Sequence, residues 1–308
     1  MAGTTRPPLG GTALVDRGRN PVTQQRQLRA ELRAAREAAK LRQKDAADRL
    51  EWSLSKLIRI ETGAVGISLT DLRALLQLYG VTDESTVEQL VDMARSGKQQ
   101  AWWDRYRPRL PQPFVTFLGL EDSTTLIRQF QPLFVPGLLQ TEDYARSVVS
   151  LYSPDDTDGI ERGVEIRMER QDKFYDKGDQ QAFFILDESA LRRQIGTPQV
   201  MRKQLVRLKE LNRLPFVSIQ VIGFDKGLHR GMESAFTVFE FPAGDDQDHA
   251  IYIDQAGKSR SILIQNSPED ASRYVEAFIE LEAVATPSDE LDIFIDRIIT
   301  DSFNEGAH

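Results

Sequence analysis

Cysteine is absent from the 308 residues, which excludes disulfides, thiolate metal sites and cysteine nucleophiles, and fits a reducing compartment. Histidine is scarce. His229, His249 and His308 are the only three, and none has metal-ligand spacing with another histidine or with a carboxylate on one helix face. No phosphate-cradling glycine loop, GxGxxG or GxSxG occurs, so no catalytic grouping and no cofactor is expected. No apolar run approaches the roughly 18–20 residues that span a bilayer, and the start "MAGTTRPPLGG" lacks the apolar segment of a signal peptide. A cytoplasmic protein with no membrane partner and no enzyme activity is the expectation.

What is present is ordinary globular composition, 40 % hydrophobic and 28 % charged, in a chain long enough for two domains. The net charge of −8 is unevenly spread. Residues 1–80 hold 14 Lys and Arg against 8 Asp and Glu, a balance of +6, so the rest carries −14. A basic block on an acidic body suits a phosphate-contacting module joined to a separate domain, because Lys and Arg displace counterions condensed on nucleic acid. A solvated arginine-rich helix face reads equally well from charge alone.

Periodicity divides the chain. Residues 1–22, rich in Gly, Pro, Thr and Arg, read as a disordered arm. Leu28, Leu32, Ala35 and Ala39 then repeat at helical spacing. A short helix fits Gln43–Leu50, and Ser53 caps a third that runs to about Glu61, with Gly63 just past its end. "SLTDLRALLQLYG" and "STVEQLVDMARSG" supply two more. Residues 23–98 therefore form an all-α bundle of five short helices. Two of them, separated by a tight turn, have the helix-turn-helix arrangement, whose second helix enters the major groove.

The segment "LRQKDAADRLEWSLSKLIRIETG" closely resembles the five-helix repressors of the phage lambda and Cro type, the xenobiotic-response-element family. Gln43, Ala46, Ala47, Ser53, Arg59, Ile60, Glu61 and Gly63 carry the match, which covers roughly residues 26–82. The resemblance implies a phosphate-positioning role for Gln43 and a structural salt bridge for Glu61. Arg42 and Lys44 beside Gln43 are expected phosphate contacts without sequence readout. At 100° per residue, Leu57 and Ile60 face one way with Trp52 behind them, while Ser55 and Arg59 face the other, flanked by Lys56. Leu54 and Ile58 border both faces and are expected to meet thymine methyls in the groove, or to extend the core. The expected DNA contacts are thus Arg42, Gln43, Lys44, Ser53, Leu54, Ser55, Lys56, Ile58 and Arg59.

From residue 99 to 308 an α+β domain is expected. "WWDRYRPRLPQPFVTFLGL" reads as a packed irregular connection, with its tryptophans as domain-interface core or as a ligand cage. "DSTTLIRQF" and "TEDYARSVVSLY" read as helices around a Pro/Gly turn. "QAFFILD", "FVSIQVIGF", "AFTVFEF", "AIYID" and "SILIQ" read as about five strands of a mostly antiparallel sheet flanked by helices. "DDQDHAIYID" lacks the alternation and glycine of a calcium loop and reads as a solvated turn. Near the end, Ser267 and Pro268 open a final pair of helices.

"LFVPGLLQTEDYARS", "ESALRRQIG", "GLHRGMESAFTVFEF" and "RMERQ" at Arg167–Gln171 resemble, in that order-specific set, the uncharacterised C-terminal domain of actinobacterial WhiJ-like regulators. The resemblance implies a transcription regulator whose gene often accompanies a small partner protein. Arg128, Arg192, Arg193, His229, Arg230 and Glu233 lie near strand ends, where pockets form, and are the candidate effector contacts. Arginine suits a carboxylate or phosphate, or else pairs with the acidic surface. The expected protein is a homodimeric repressor on double-stranded operator DNA, answering to a small molecule or to a small partner protein encoded nearby. An antitoxin-like antagonist that autoregulates, and an enzyme fused to a DNA-binding module, are the rival readings.

Overall fold

The computed structural model describes residues 21–62, 65–96, 101–152, 154–178, 180–241, 249–254, 262–264 and 268–303. The arm through residue 20, Gly63, the acidic turn at Asp245–Asp248, Ser267 and His308 lie outside the described residues. The chain forms two compact units, Met1–Asp104 and Arg105–His308.

In the first unit five helices follow the expected order: α1 (Pro21–Ala38), α2 (Gln43–Arg49), α3 (Leu54–Thr62), α4 (Leu69–Leu78) and α5 (Glu84–Ser96). One core unites them. Leu28 and Leu32 of α1, Leu57 of α3, Leu75 of α4 and Leu90 of α5 are buried around Ala46 and Ala47, which are fully buried. Two methyl side chains at that crossing let α2 approach its neighbours closely. The ends are capped from the sequence: Ser53 Oγ accepts from Lys56 N at 3.2 Å, Ser68 Oγ from Asp71 N at 3.0 Å, and Asp83 Oδ2 from Thr86 N at 2.8 Å. Between α2 and α3 the turn needs a left-handed residue, and a non-glycine takes that place: Glu51 has φ +56°.

The second unit is α+β. Two short 3-10 turns, Trp102–Arg105 at the boundary of the units and Arg107–Arg109, precede α6 (Gln112–Ser123), so half of the expected irregular connection is helix. Pro113 sits in the first turn of α6, where its missing N–H costs nothing. Next come β1 (Leu126–Gln131), α7 (Glu142–Tyr152), α8 (Thr157–Lys177), β2 (Gln181–Asp187), α9 (Glu188–Arg192) and α10 (Pro198–Leu211). They are followed by β3 (Val217–Ile222), β4 (Ala235–Glu240), β5 (His249–Asp254), β6 (Ile262–Ile264), α11 (Pro268–Val284) and α12 (Leu291–Ser302).

All five expected strands are present, joined by a sixth: the sheet runs β3-β2-β1-β4-β5-β6. The sixth is β1, and its "LIRQF" is the segment that reads as a helix from sequence. It lies in the middle of the sheet, parallel to β2 and antiparallel to β4. The β2–β3 pairing is also parallel, and the β4–β5 and β5–β6 pairings are antiparallel.

The period of two sorts the sheet into two faces. Phe130, Ile185, Phe236, Val238, Ile251 and Ile253 pack in one cluster with Phe278 and Leu281 of α11. Their alternates Gln129, Thr237 and Tyr252 turn to the other face, where α6 lies: the Phe117 ring meets Phe239 at 5.3 Å and Tyr252 at 4.7 Å. On that face a buried ion pair, Arg170 of α8 with Glu121 of α6, holds the two helices together. Burial pushes the Glu121 carboxyl above its ordinary range, against the pull of Arg170.

Candidate nucleic-acid interface and cavity

Helix α3 divides by exposure as its sequence divides by polarity. Leu57 and Ile60 are buried, while Ser53, Ser55 and Arg59 are exposed. Leu54 and Ile58, the border residues, are 41 % and 37 % exposed, so both keep an apolar surface outward. Lys56 is the exception on this face. Its ammonium lies 2.8 Å from Asp71 Oδ1 and 3.7 Å over the Trp52 ring, which commits it to the domain itself.

Beneath α3 a buried network fixes its far end. Glu61 is 2 % exposed and its carboxylate accepts Arg36 Nε at 2.8 Å and Gln43 Nε2 at 2.8 Å. Arg36 also donates to the Leu41 carbonyl at 2.9 Å, and Arg33 to the Glu61 carbonyl at 3.2 Å. Burial works against the Arg36 charge, yet the hydrogen bond and attraction of Glu61 hold its guanidinium above the ordinary value. Burial, followed by the Glu61 charge, pushes the nearby Tyr79 phenol up to about 12. The salt-bridge role expected for Glu61 is therefore present, with Gln43 as a third member that spacing did not reveal. Arg42, 84 % exposed, pairs with Asp45 at 2.9 Å, and that carboxylate also accepts the Arg42 backbone N–H at 3.2 Å. Lys44 is exposed beside it.

The second unit contains a cavity of about 940 Å³ on the sheet face opposite α11. Its floor is Gln129 and Gln131 of β1, Thr237 of β4 and Tyr252 of β5. Phe114 and Phe117 of α6 line it with Arg167 and Arg170 of α8. The loop Pro132–Gly137, Asp187 at the end of β2, Ser189 just after it and Met232–Ser234 before β4 also line it. Loop 132–140 is pinned: Gln140 Nε2 donates to the Val135 carbonyl at 2.7 Å, and Gln171 Nε2 to the Gly137 carbonyl at 2.8 Å. Gly137 lies under the Arg170 guanidinium, where a Cβ would come within 2.8 Å of Nη1.

Of the six candidate effector contacts, Glu233 alone is in this wall. Arg128 pairs with Glu240 at 2.6 Å, Arg192 with Glu188 at 2.5 Å and Asp301 at 3.4 Å, and Arg230 with Glu280 at 3.0 Å. These three follow the alternative in which arginine pairs with the acidic surface. Arg193 is exposed outside the cavity wall. His229 is outside the wall too, its Nε2 3.1 Å from Asp187 Oδ2. The arginines that do line the cavity, Arg167 and Arg170, stand in "RMERQ". Their spacing of three on one helix was the available signal. Among the described residues no group of three His, Asp or Glu could hold a metal ion.

Five short helices on one core, with the second and third joined by a tight turn, define a helix-turn-helix protein. Residues 27–90 match the family described as Helix-turn-helix domain. Residues 114–297 match the family described as Domain of unknown function (DUF5753), and the chain belongs to that family. No curated protein and no solved structure matches it. Among the described residues no helix is long and apolar enough to cross a membrane.

Proposed function

We propose that this chain is a sequence-specific DNA-binding transcription regulator of the lambda and Cro type, acting without catalysis, with the C-terminal domain of WhiJ-like regulators as its effector-receiving unit. The observation that carries the reading is the outward face of α3: Ser55, Arg59, Leu54 and Ile58 are exposed while Leu57 and Ile60 hold the helix to the core. A helix anchored on one side and polar with apolar borders on the other suits major-groove readout. One such helix reads too few base pairs for genomic specificity, so the regulator works as a homodimer on two related half-sites. The cavity of the second unit favours a small-molecule effector over a partner protein. Repression follows if the bound dimer occludes its own promoter.

Fluorescence anisotropy of the full chain with labelled DNA from upstream of its own gene tests this. The expected result is saturable binding that outcompetes unrelated DNA and weakens steeply with salt. Equal affinity for both DNAs sinks the reading.

A further inference from the structure

Among the described residues the charged side chains of the cavity wall are two arginines and two carboxylates, Arg167, Arg170, Asp187 and Glu233, so their formal charges cancel. Three of them are also engaged within the protein. Arg170 forks onto the Glu121 carboxylate, each side chain 7 % exposed, and its guanidinium lies 4.9 Å over the Phe117 ring. Arg167 donates to Gln140 Oε1 at 2.8 Å. Asp187 has Oδ1 on the Ser189 N–H at 2.8 Å and Oδ2 3.1 Å from His229 Nε2. Glu233, the fourth, is exposed to solvent.

A charged ligand therefore enters at a cost. To pair with Arg170 or Asp187 it must take a buried group from the partner that already holds it, and its own charge loses its water on entry. Against Glu233 it would form only a surface pair, which is worth little. An uncharged ligand breaks none of these contacts.

The mouth of the cavity supplies a second, independent observation. Leu133, Phe224 and Met232 line it and are nonetheless 38 %, 59 % and 56 % exposed. They stand on two separate loops, one after β1 and one between β3 and β4, so folding gathers their apolar surface at one opening. Apolar side chains left in water and gathered in this way mark a binding surface. Inside, the rings of Phe114 and Phe117 stack at 6.0 Å, and Tyr252 meets Phe117 edge-on at 4.7 Å. The polar side chains Gln129 and Thr237 of the floor are an uncharged amide and a hydroxyl. The volume of about 940 Å³ accommodates a drug-sized body.

We propose that the cavity receives an uncharged, largely apolar organic molecule that carries a ring. The ring packs against Phe114 and Phe117, its few polar atoms, carbonyl or hydroxyl, meet Gln129 and Thr237, and Leu133, Phe224 and Met232 cover its apolar end. This rests on the effector-site reading of the second unit and names the class of effector. It replaces the carboxylate or phosphate that arginines alone would suggest.

The test uses the full chain and N-phenyl-1-naphthylamine, an uncharged dye that brightens in apolar surroundings. Three competitors of similar shape are titrated against it: 4-phenylbutanamide, 4-phenylbutylamine and 4-phenylbutyrate. Melting temperature is read in parallel, since native-state binding must raise it. The dye binds, the amide displaces it and raises the melting temperature, and the two ions do so about tenfold more weakly or not at all. Phe224→Ser combined with Met232→Ser, both at exposed positions, weakens dye and amide binding by about threefold or more and leaves the melting temperature of the free protein unchanged. Displacement by either ion that is less than about tenfold weaker than by the amide overturns the uncharged class and leaves an effector site standing. Dye binding that the amide does not displace, or that the double variant leaves unchanged, overturns the placement in this cavity. Binding of neither the dye nor any competitor overturns the effector-site reading as well.

Discussion

The side-chain amide of Gln43, at the start of α2, donates a 2.8 Å hydrogen bond to Oε2 of Glu61, near the end of α3. The residue expected to position a phosphate is thereby tied to the helix expected to read bases. Through Glu61 it is tied also to Arg36 of α1, so three helices meet on one buried carboxylate. The orientation of α3 depends on that carboxylate.

Glu61→Ala leaves the Arg36 guanidinium buried without its partner, and breaking a buried pair from one side costs about 3–5 kcal/mol. Urea unfolding of the full chain, followed by a probe in the first unit, should show that loss. A change below about 1 kcal/mol, the range of surface pairs, would mean the network does not support the fold.

Glu51 occupies the left-handed position of the turn between α2 and α3 with φ +56°. A side chain there costs roughly 1–2 kcal/mol, and glycine avoids that cost while losing some in unfolded-chain entropy. Glu51→Gly is therefore expected to leave the melting temperature unchanged or to raise it, and Glu51→Val to lower it. The same sign for both substitutions would contradict the turn geometry.

Arg59→Ala and Lys44→Ala separate reading from holding. The first should cost about 1–3 kcal/mol on the native site and relax preference at one base pair. The second should weaken binding to every sequence alike and reduce the salt slope by about one. Anisotropy titrations at several salt concentrations distinguish them.

Ile58 is 37 % exposed, so Ile58→Ser removes little from the core. Unchanged melting together with lost preference at one A·T position is the expected outcome, since a thymine methyl would lose its apolar contact. A marked loss of stability would return Ile58 to the core.

Hydrogen bonds from the Ser85 hydroxyl, then from the Thr86 side chain and backbone, lower the Asp83 carboxyl from 3.8 to about 2. A depressed carboxylate contributes stability that is present above its unfolded value and lost as pH falls through the folded one. Between pH 4 and pH 2 the wild-type chain should lose this contribution, and Asp83→Asn should lack it. Melting curves of the two, compared across that window, read the difference.

The bundle was legible because its information is local: caps at Ser53 and Ser68, small residues at Ala46 and Ala47, and apolar residues at helical spacing. Strand β1 was not. Leu126, Ile127 and Phe130 fit a helical spacing, and a strand between two others with buried side chains on both faces loses the clean alternation that marks edge strands.

Charge in the second unit shows the same division. The sequence by itself determined the residue types: arginines near strand ends, a helix with Arg167 and Arg170 three apart, and carboxylates at Asp187 and Glu233. Which of them face one cavity was decided by the tertiary structure alone. Arg128, Arg192 and Arg230 are drawn to Glu240, Glu188 and Glu280, carboxylates as far as 112 residues away in the chain, and Asp187 is left facing His229. Opposite charges pair by distance in space: the β1–β4 pairing sets the first of these distances, α9 itself the second, and the position of α11 the third.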